Sequence, residues 1–406
     1  MKAIGIVALV VLLAASSGAQ AATTALKFGK LWDGRRTIPN AVVIVVDDKI
    51  QSVAANGAIP AGAAVIDLTR YTGMPGMIDA HTHMSFFWDP ASGTNPLRQP
   101  PRPVAQTVTF AAANARRTLE AGVTTVRDLT GFDGADMQMR DAINRGAMVG
   151  PRMFVSGVGL RDNVIKNSPA EAGRLAKAVL DGGADWVKIY GSTGRANDLT
   201  GEATVSYDEM KSIVDTAHAM GRKVAIHSYG PNAARDAVRA GADTVEHATD
   251  MDDATIAEMA RKRIWYIPTI NHNQHYLERA DTYQFSESDR ANFRDYIARN
   301  VETARKAFRA GVRILPGSDA VFTAFGTNME ELRWLKRIGM SNEQALQSAT
   351  VLPAEMLGME RSIGAVAPGY FADIAAVEGD PLADIEVAIT KVRWVMKAGA
   401  VVVDRR

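Results

Sequence analysis

Met74-Pro75-Gly76-Met77-Ile78-Asp79-Ala80-His81-Thr82-His83 reads as a short buried strand that ends in two histidines one residue apart. Alternate side chains of a strand share a face, so His81 and His83 point the same way. Neutral imidazoles are common metal ligands, and two at one strand end make half of a metal site. Taken alone, the pair equally suits two ordinary polar residues. The rest of the chain decides between them.

From about residue 73 to 357, short apolar strands alternate with helical stretches. After the first strand come 124–129, 152–157, 185–190, 223–228, 244–248, 264–270 and 313–319, eight in all. Several intervening helices end in glycine just before the next strand, at Gly122, Gly221, Gly241 and Gly311, and glycine is a helix stop signal. Eight alternating units in this length predict an α/β fold, a TIM-like (β/α)₈ barrel. An open doubly wound sheet is the alternative, but no Gly-x-Gly-x-x-Gly follows the first strand.

The flanks have another texture. Residues 22–72 hold short strands such as Ala41-Val42-Val43-Ile44-Val45-Val46, too few to bury a core alone. The tail, 358–406, repeats this pattern at 373–377, 392–396 and 401–403. The two ends are therefore expected to meet in one small β-sandwich domain. Residues 1–21 have the order of a secretory signal peptide: Lys2, an apolar run from Ile4 to Ala15, then Ala19-Gln20-Ala21. A periplasmic or secreted product is expected. That segment carries one of the 46 basic residues and none of the 45 acidic ones, so the remainder is balanced. Balance argues against nucleic acid or an anionic membrane as a partner. The chain has no cysteine, hence no disulfide.

Six metal-competent residues fall near the C-terminal ends of five predicted strands: His81 and His83, Lys188, His227, His247 and Asp319. Four of the seven histidines take these positions. Two loops look inserted on the same face, where barrel active sites lie. Residues 84–103 hold five prolines and Phe86-Phe87-Trp88, and residues 271–286 hold Asn271-His272-Asn273-Gln274-His275-Tyr276. Loops of this length there read as lids or substrate walls.

These motifs resemble the amidohydrolase superfamily, in particular its imidazolonepropionase-like and Xaa-Pro-dipeptidase-like branch. The resemblance runs through Pro75–His83, 122–128, 183–188, 225–230, Val245-Glu246-His247, Gly317-Ser318-Asp319 and 364–373. It implies a binuclear centre of two divalent ions, zinc by analogy. His81, His83 and Asp319 would hold the more buried ion, and His227 and His247 the more exposed one. Lys188, carboxylated by carbon dioxide to a carbamate, would bridge both. Two such ions can share a hydroxide and polarise a carbonyl. Asp319 would act as proton shuttle, and Tyr229, two residues beyond His227, would stabilise the oxyanion.

The chain departs from the branch at Gly157-Val158-Gly159-Leu160-Arg161-Asp162-Asn163 and at Phe325-Gly326. The resemblance therefore does not extend to a preference for proline. Groups able to hold a substrate carboxylate are Arg195, His272, His275 and Arg161, the first two ranked highest. The expected activity is hydrolysis of an amide bond in a dipeptide or N-acyl amino acid. Alternatives are a lactone, carbamate or other ester-type hydrolase, and a non-catalytic binding barrel. A degenerate binder should have lost ligands, and the set of six is complete. The expected partner is a small-molecule substrate, with no membrane association after signal cleavage and self-association left open.

Overall fold

The computed structural model describes residues 23–406, so the signal segment expected at 1–21 lies outside the described residues. The chain begins with β1 (Thr23–Trp32), β2 (Thr37–Val46), β3 (Lys49–Ala55) and β4 (Ala64–Pro75). Next come β5 (Met77–Phe87), β6 (Val123–Asp128), β7 (Arg152–Val155), β8 (Trp186–Tyr190), β9 (Lys223–Ser228), β10 (Thr244–His247), β11 (Trp265–Ile267), β12 (Arg313–Ile314) and β13 (Ala320–Phe322). It closes with β14 (Ile374–Val377), β15 (Val392–Lys397) and β16 (Ala400–Asp404).

The strands β5 to β12 are the eight that the alternating pattern predicts. They are parallel and most are buried on both faces, which is why those read as apolar runs and not as alternating ones. They fall into two sheets, β13-β5-β6-β7 and β12-β11-β10-β9-β8. Hydrogen bonds cross both seams. At one, Leu160 N–H donates to Lys188 O at 2.8 Å and Asp185 N–H to Val155 O at 2.8 Å. At the other, Ala80 N–H donates to Pro316 O at 3.0 Å and Asp319 N–H to His81 O at 2.8 Å. Helices such as Val104–Glu120, Pro169–Asp181 and Tyr207–Ala219 connect consecutive parallel strands. Among the described residues, no helix is long and apolar enough to cross a membrane.

The two ends do meet, but in one sheet and not in two facing ones. Its order is β16-β15-β14-β4-β1-β2-β3, with β14 antiparallel to β4 so that Ile374 pairs with Pro75. The ladder is continuous, which leaves no strands for a second sheet. Instead it curls over its own core of Leu26, Phe28, Val43, Leu68, Ile374 and Trp394. The β2–β3 turn reaches the tail, where Ile50 N–H donates to Tyr370 O and Gly369 N–H to Ile50 O.

The segment 271–286, expected as an inserted loop, is mostly helical: Ile270–Glu278 and Ala280–Tyr283. The first helix starts without a local side-chain cap. Glu331, sixty residues on, accepts from Ile270 N–H at 2.9 Å and Asn271 N–H at 2.7 Å, doing the work a local Ser or Asp would do. The segment 84–103 extends β5 to Phe87 and then makes two short 3₁₀ turns. Asn95 Nδ2 donates to Tyr283 O at 2.6 Å, tying the two segments together.

Candidate metal centre

His81 and His83 lie on one side of β5, as alternation requires. Opposite them the chain after β12 comes close because residue 317 is glycine. A Cβ there would sit 2.4 Å from Ile267 Cγ2 and 2.7 Å from His81 Cβ. The close pass delivers Asp319, whose Oδ1 lies 3.0 Å from His83 Nε2 and 3.6 Å from His81 Nε2. One ligand atom from each of the three residues lies within 4.8 Å of the others. His227 and His247 end the neighbouring strands β9 and β10, and their ring centroids are 4.5 Å apart. The His247 ring is also 5.3 Å from that of His81. Lys188, on β8 opposite Ala225 of β9, is fully buried. Asp319 and His247 both have left-handed backbone, φ +48° and +69°, an uncommon strain for non-glycine residues that concentrates at functional sites.

A buried polar network aims these side chains. His81 Nδ1–H donates to Glu246 at 2.8 Å. The other Glu246 oxygen accepts from Arg127 at 2.9 Å, and Arg127 Nε donates to Ala80 O at 2.6 Å. Burial pushes the Glu246 carboxyl up, but Arg127, His81 and Lys188 outweigh it and hold it at about 2. The carboxylate thereby fixes the His81 tautomer and leaves Nε2 as a lone pair facing Asp319. His247 Nδ1 is engaged in the same way by Thr269 Oγ1 at 2.6 Å. Asp79, also buried, accepts from Ser318 N–H, Ser318 Oγ, Asn328 Nδ2 and His81 N–H, pinning β5 to the segment that carries Asp319.

The donors fit divalent ions. Burial first, then the charge of Lys188, pushes the His81 imidazole down to about 4. His227 is held well below the usual value by the same two causes, and His247 by burial and then His227. All three are neutral ligands near pH 7. Burial pushes the Asp319 carboxyl up, but His272, His81 and His83 hold it well below the usual carboxylate range, so it is anionic. His81 Nε2, His227 Nε2 and Lys188 Nζ are buried without a hydrogen-bond partner. Buried polar atoms are nearly always satisfied, so three orphans converging on one carboxylate mark a place for cations. Burial lowers Lys188 to about 8, within reach of the neutral amine, the form whose lone pair can add to carbon dioxide. Nitrogen and oxygen donors of this kind suit zinc and its neighbours in the first transition row.

Tyr229 is buried against the centre, its ring 5.0 Å from that of His227 and 4.8 Å from that of His247. Gly194 leaves room for it, since a Cβ there would lie 2.4 Å from the phenol ring. The Asn273 carboxamide neighbours the phenol but makes no hydrogen bond of good geometry. Burial, with Asp319 nearby, raises the Tyr229 phenol well above its ordinary value, so it is a donor.

The four residues expected to hold a substrate carboxylate separate. Half-buried Arg161 lies over the Tyr190 ring, 3.3 Å from its centroid, close enough for its charge to bear on Lys188 and His227. His272 turns to Asp319. Its Nδ1–H donates to the Asp319 carbonyl at 2.9 Å, and its Nε2 lies 3.5 Å from Oδ2. His275 Nε2 is taken by Thr323 Oγ1 at 2.7 Å. Arg195 is exposed on a small turn closed by its own backbone pairing with Asp198. The structure therefore brings Arg161 and His272 to the centre and leaves Arg195 and His275 outside it. Sequence reading missed Glu246, Arg127, Asp79 and Thr269 as functional residues. For Glu246, Arg127 and Asp79 the available signal was a full charge inside an otherwise apolar strand, which burial tolerates only with a partner, whereas Thr269 carried no such signal.

The sequence profile of the amidohydrolase family matches residues 72–402. A crystal structure of a Xaa-Pro dipeptidase with methionine bound in its active site superposes with TM-score 0.84 at 27% identity, over 93% of this chain and 99% of that one. Ochratoxinase of Aspergillus niger is 26% identical over 396 residues, covering 86% of this chain and 79% of that protein. Imidazolonepropionase of Streptomyces coelicolor is 24% identical over 366 residues, covering 84% and 86%.

Proposed function

The chain belongs to the amidohydrolase family, and from that premise we propose that it hydrolyses the amide bond of a dipeptide or N-acyl amino acid at a binuclear centre. The observation that carries the proposal is the set of orphaned donors, His81 Nε2, His227 Nε2 and Lys188 Nζ, gathered around Asp319. His81, His83 and Asp319 would hold one ion, His227 and His247 the other, and a carbamate on Lys188 would bridge them. When bound, such ions, zinc by analogy, supply Lewis acidity and acidify a water.

The protein groups do the rest. Asp319, anionic and at the centre, takes the proton of the attacking water and passes it to the departing nitrogen, so the amine leaves neutral. Tyr229 donates its phenol proton as a hydrogen bond to the oxygen that gains charge during attack. Arg161 offers a planar guanidinium to a substrate carboxylate. The Xaa-Pro dipeptidase and ochratoxinase likenesses support the amide reading.

The same reading takes the two parallel sheets as halves of one closed (β/α)₈ barrel over residues 73–357, supported by the hydrogen bonds at both seams. The remaining sheet is then a second domain built from 22–72 and 358–406.

The test is a substrate screen of purified protein with zinc and bicarbonate, over N-acyl amino acids, dipeptides, lactones and carbamates. Hydrolysis of the amides is expected. Activity confined to lactones or carbamates would overturn the amide assignment.

A further inference from the structure

His83 is the inner end of an aromatic stack. The Phe86 ring lies 4.9 Å from the His83 ring, and Phe132 stacks on Phe86 at 4.1 Å with planes 22° apart. Phe322 closes the far side, 5.9 Å from Phe86. These rings come from three separate segments, the end of β5, the turn after β6 and the end of β13. Accessibility rises along the stack, from buried His83 through half-buried Phe86 to Phe132, which is 48% exposed. A single exposed Phe needs no explanation. An exposed Phe that continues a stack starting at a candidate ligand gives the site an apolar, aromatic wall.

The backbone beneath the wall is strained. Phe322 has φ +50°, Thr130 +124° and Asp133 +47°. Bulky and β-branched residues rarely adopt such values, and a fold keeps them where they place a side chain. The turn carrying Phe132 is held to β5 at two points. Phe132 N–H donates to Ser85 Oγ at 3.2 Å, and Thr130 O accepts from His83 Nδ1–H at 3.3 Å.

The same Thr130 faces the cationic side of the site. Tyr190 donates its hydroxyl to Thr130 Oγ1 at 3.1 Å, and Arg161 lies over the Tyr190 ring. Among the described residues the Arg161 guanidinium has no carboxylate partner, and Thr130 links it, through Tyr190, to the turn that carries Phe132. A substrate that reaches both would carry a carboxylate and an aromatic ring, as an aromatic amino acid does.

We propose that Phe86, Phe132 and Phe322 bind the aromatic side chain of the amino acid whose amine is released, while Arg161 holds its carboxylate. The substrate class is then an N-acyl or N-aminoacyl aromatic amino acid. This rests on the amide reading for the reaction, but the wall itself can be tested without turnover.

Two measurements keep them apart. Calorimetry should show L-phenylalanine binding the zinc-loaded protein at least tenfold more tightly than L-alanine. Phe132→Ala should remove most of that ratio, since one aromatic pair is worth up to about tenfold. Phe132→Leu should restore only part of it. In kinetics, kcat/KM for N-acetyl-L-phenylalanine should exceed that for N-acetyl-L-alanine by a similar factor, which Phe132→Ala lowers. Equal binding of the two amino acids, or a ratio indifferent to Phe132, overturns the proposal. Preference for N-benzoyl-L-alanine over N-acetyl-L-phenylalanine also overturns it, by moving the aromatic group to the acyl side. Phe132-dependent binding of L-phenylalanine without hydrolysis of any amide supports the wall and sinks the amide reading.

Discussion

His81 and Glu246 meet through a 2.8 Å hydrogen bond although 165 residues separate them in the chain. Carboxylate–histidine pairs of this kind orient a ligand and raise its basicity. Glu246→Gln keeps the shape but loses the charge that fixes His81. Metal affinity, measured by chelator competition, should fall 10- to 100-fold. The same change strands buried Arg127, so a stability loss on the order of 3–5 kcal/mol is expected in melting experiments. Unchanged affinity would remove Glu246 from the metal-positioning role.

Lys188→Ala should lower metal content from two ions per chain to one or fewer by elemental analysis. Added short carboxylic acids should restore part of it, because they supply the bridging oxygens. Full binuclear loading without Lys188 would contradict the carbamate.

Tyr229→Phe deletes one hydroxyl in a buried, well-packed ring. Turnover should drop on the order of 10²–10³ while metal content stays normal. A variant with normal turnover would return Tyr229 to a packing role.

Arg161 and Arg195 make a paired comparison, since one lies by the centre and the other in solvent. On substrates with a free carboxylate, Arg161→Met should cost roughly 10- to 100-fold in kcat/KM, the worth of a charged hydrogen bond. Arg195→Met should cost little. Amidating the substrate should erase the Arg161 effect. The opposite order would restore the ranking suggested by the sequence.

Glu331 gives a pH signature. Burial raises its carboxyl from 4.5 to about 8, only partly offset by the donors Asn271 and Ile270. The folded protein therefore keeps a proton that the unfolded chain has released above pH 4.5. Its contribution is fully present below that value and is lost as pH rises toward 8. Glu331→Gln cannot ionise, so the melting-temperature advantage of wild type over this variant should shrink between pH 5 and pH 9. A constant gap would show that Glu331 is ionised throughout.

The parts of this fold that local chemistry specifies were readable in the sequence. Apolar runs, four of them preceded by the helix-ending Gly122, Gly221, Gly241 and Gly311, give the eight parallel strands, and candidate ligands stand at the strand ends. What long-range pairing specifies was not. Glu331 starts the helix Ile270–Glu278 from sixty residues away, so that stretch reads as a loop. One sheet of seven strands arises because β14 pairs with β4 across about three hundred residues, and Ile50 meets Tyr370 across a similar gap. Arg195 and Arg161 look alike as residues. What distinguishes them is long-range packing, which half-buries Arg161 over the Tyr190 ring and leaves Arg195 exposed.

The pairing of β4 with β14 also governs when the molecule can finish folding. Strand β4 ends at Pro75, and its partner β14 begins only at Ile374, with β15 and β16 still to follow. Until then β4 has an open edge, and an open edge recruits other chains. Everything between Pro75 and Val377 must therefore emerge before β1 to β4 are safe from aggregation. Truncation near residue 370 should yield a chain that needs a chaperone, not one that merely lacks a tail.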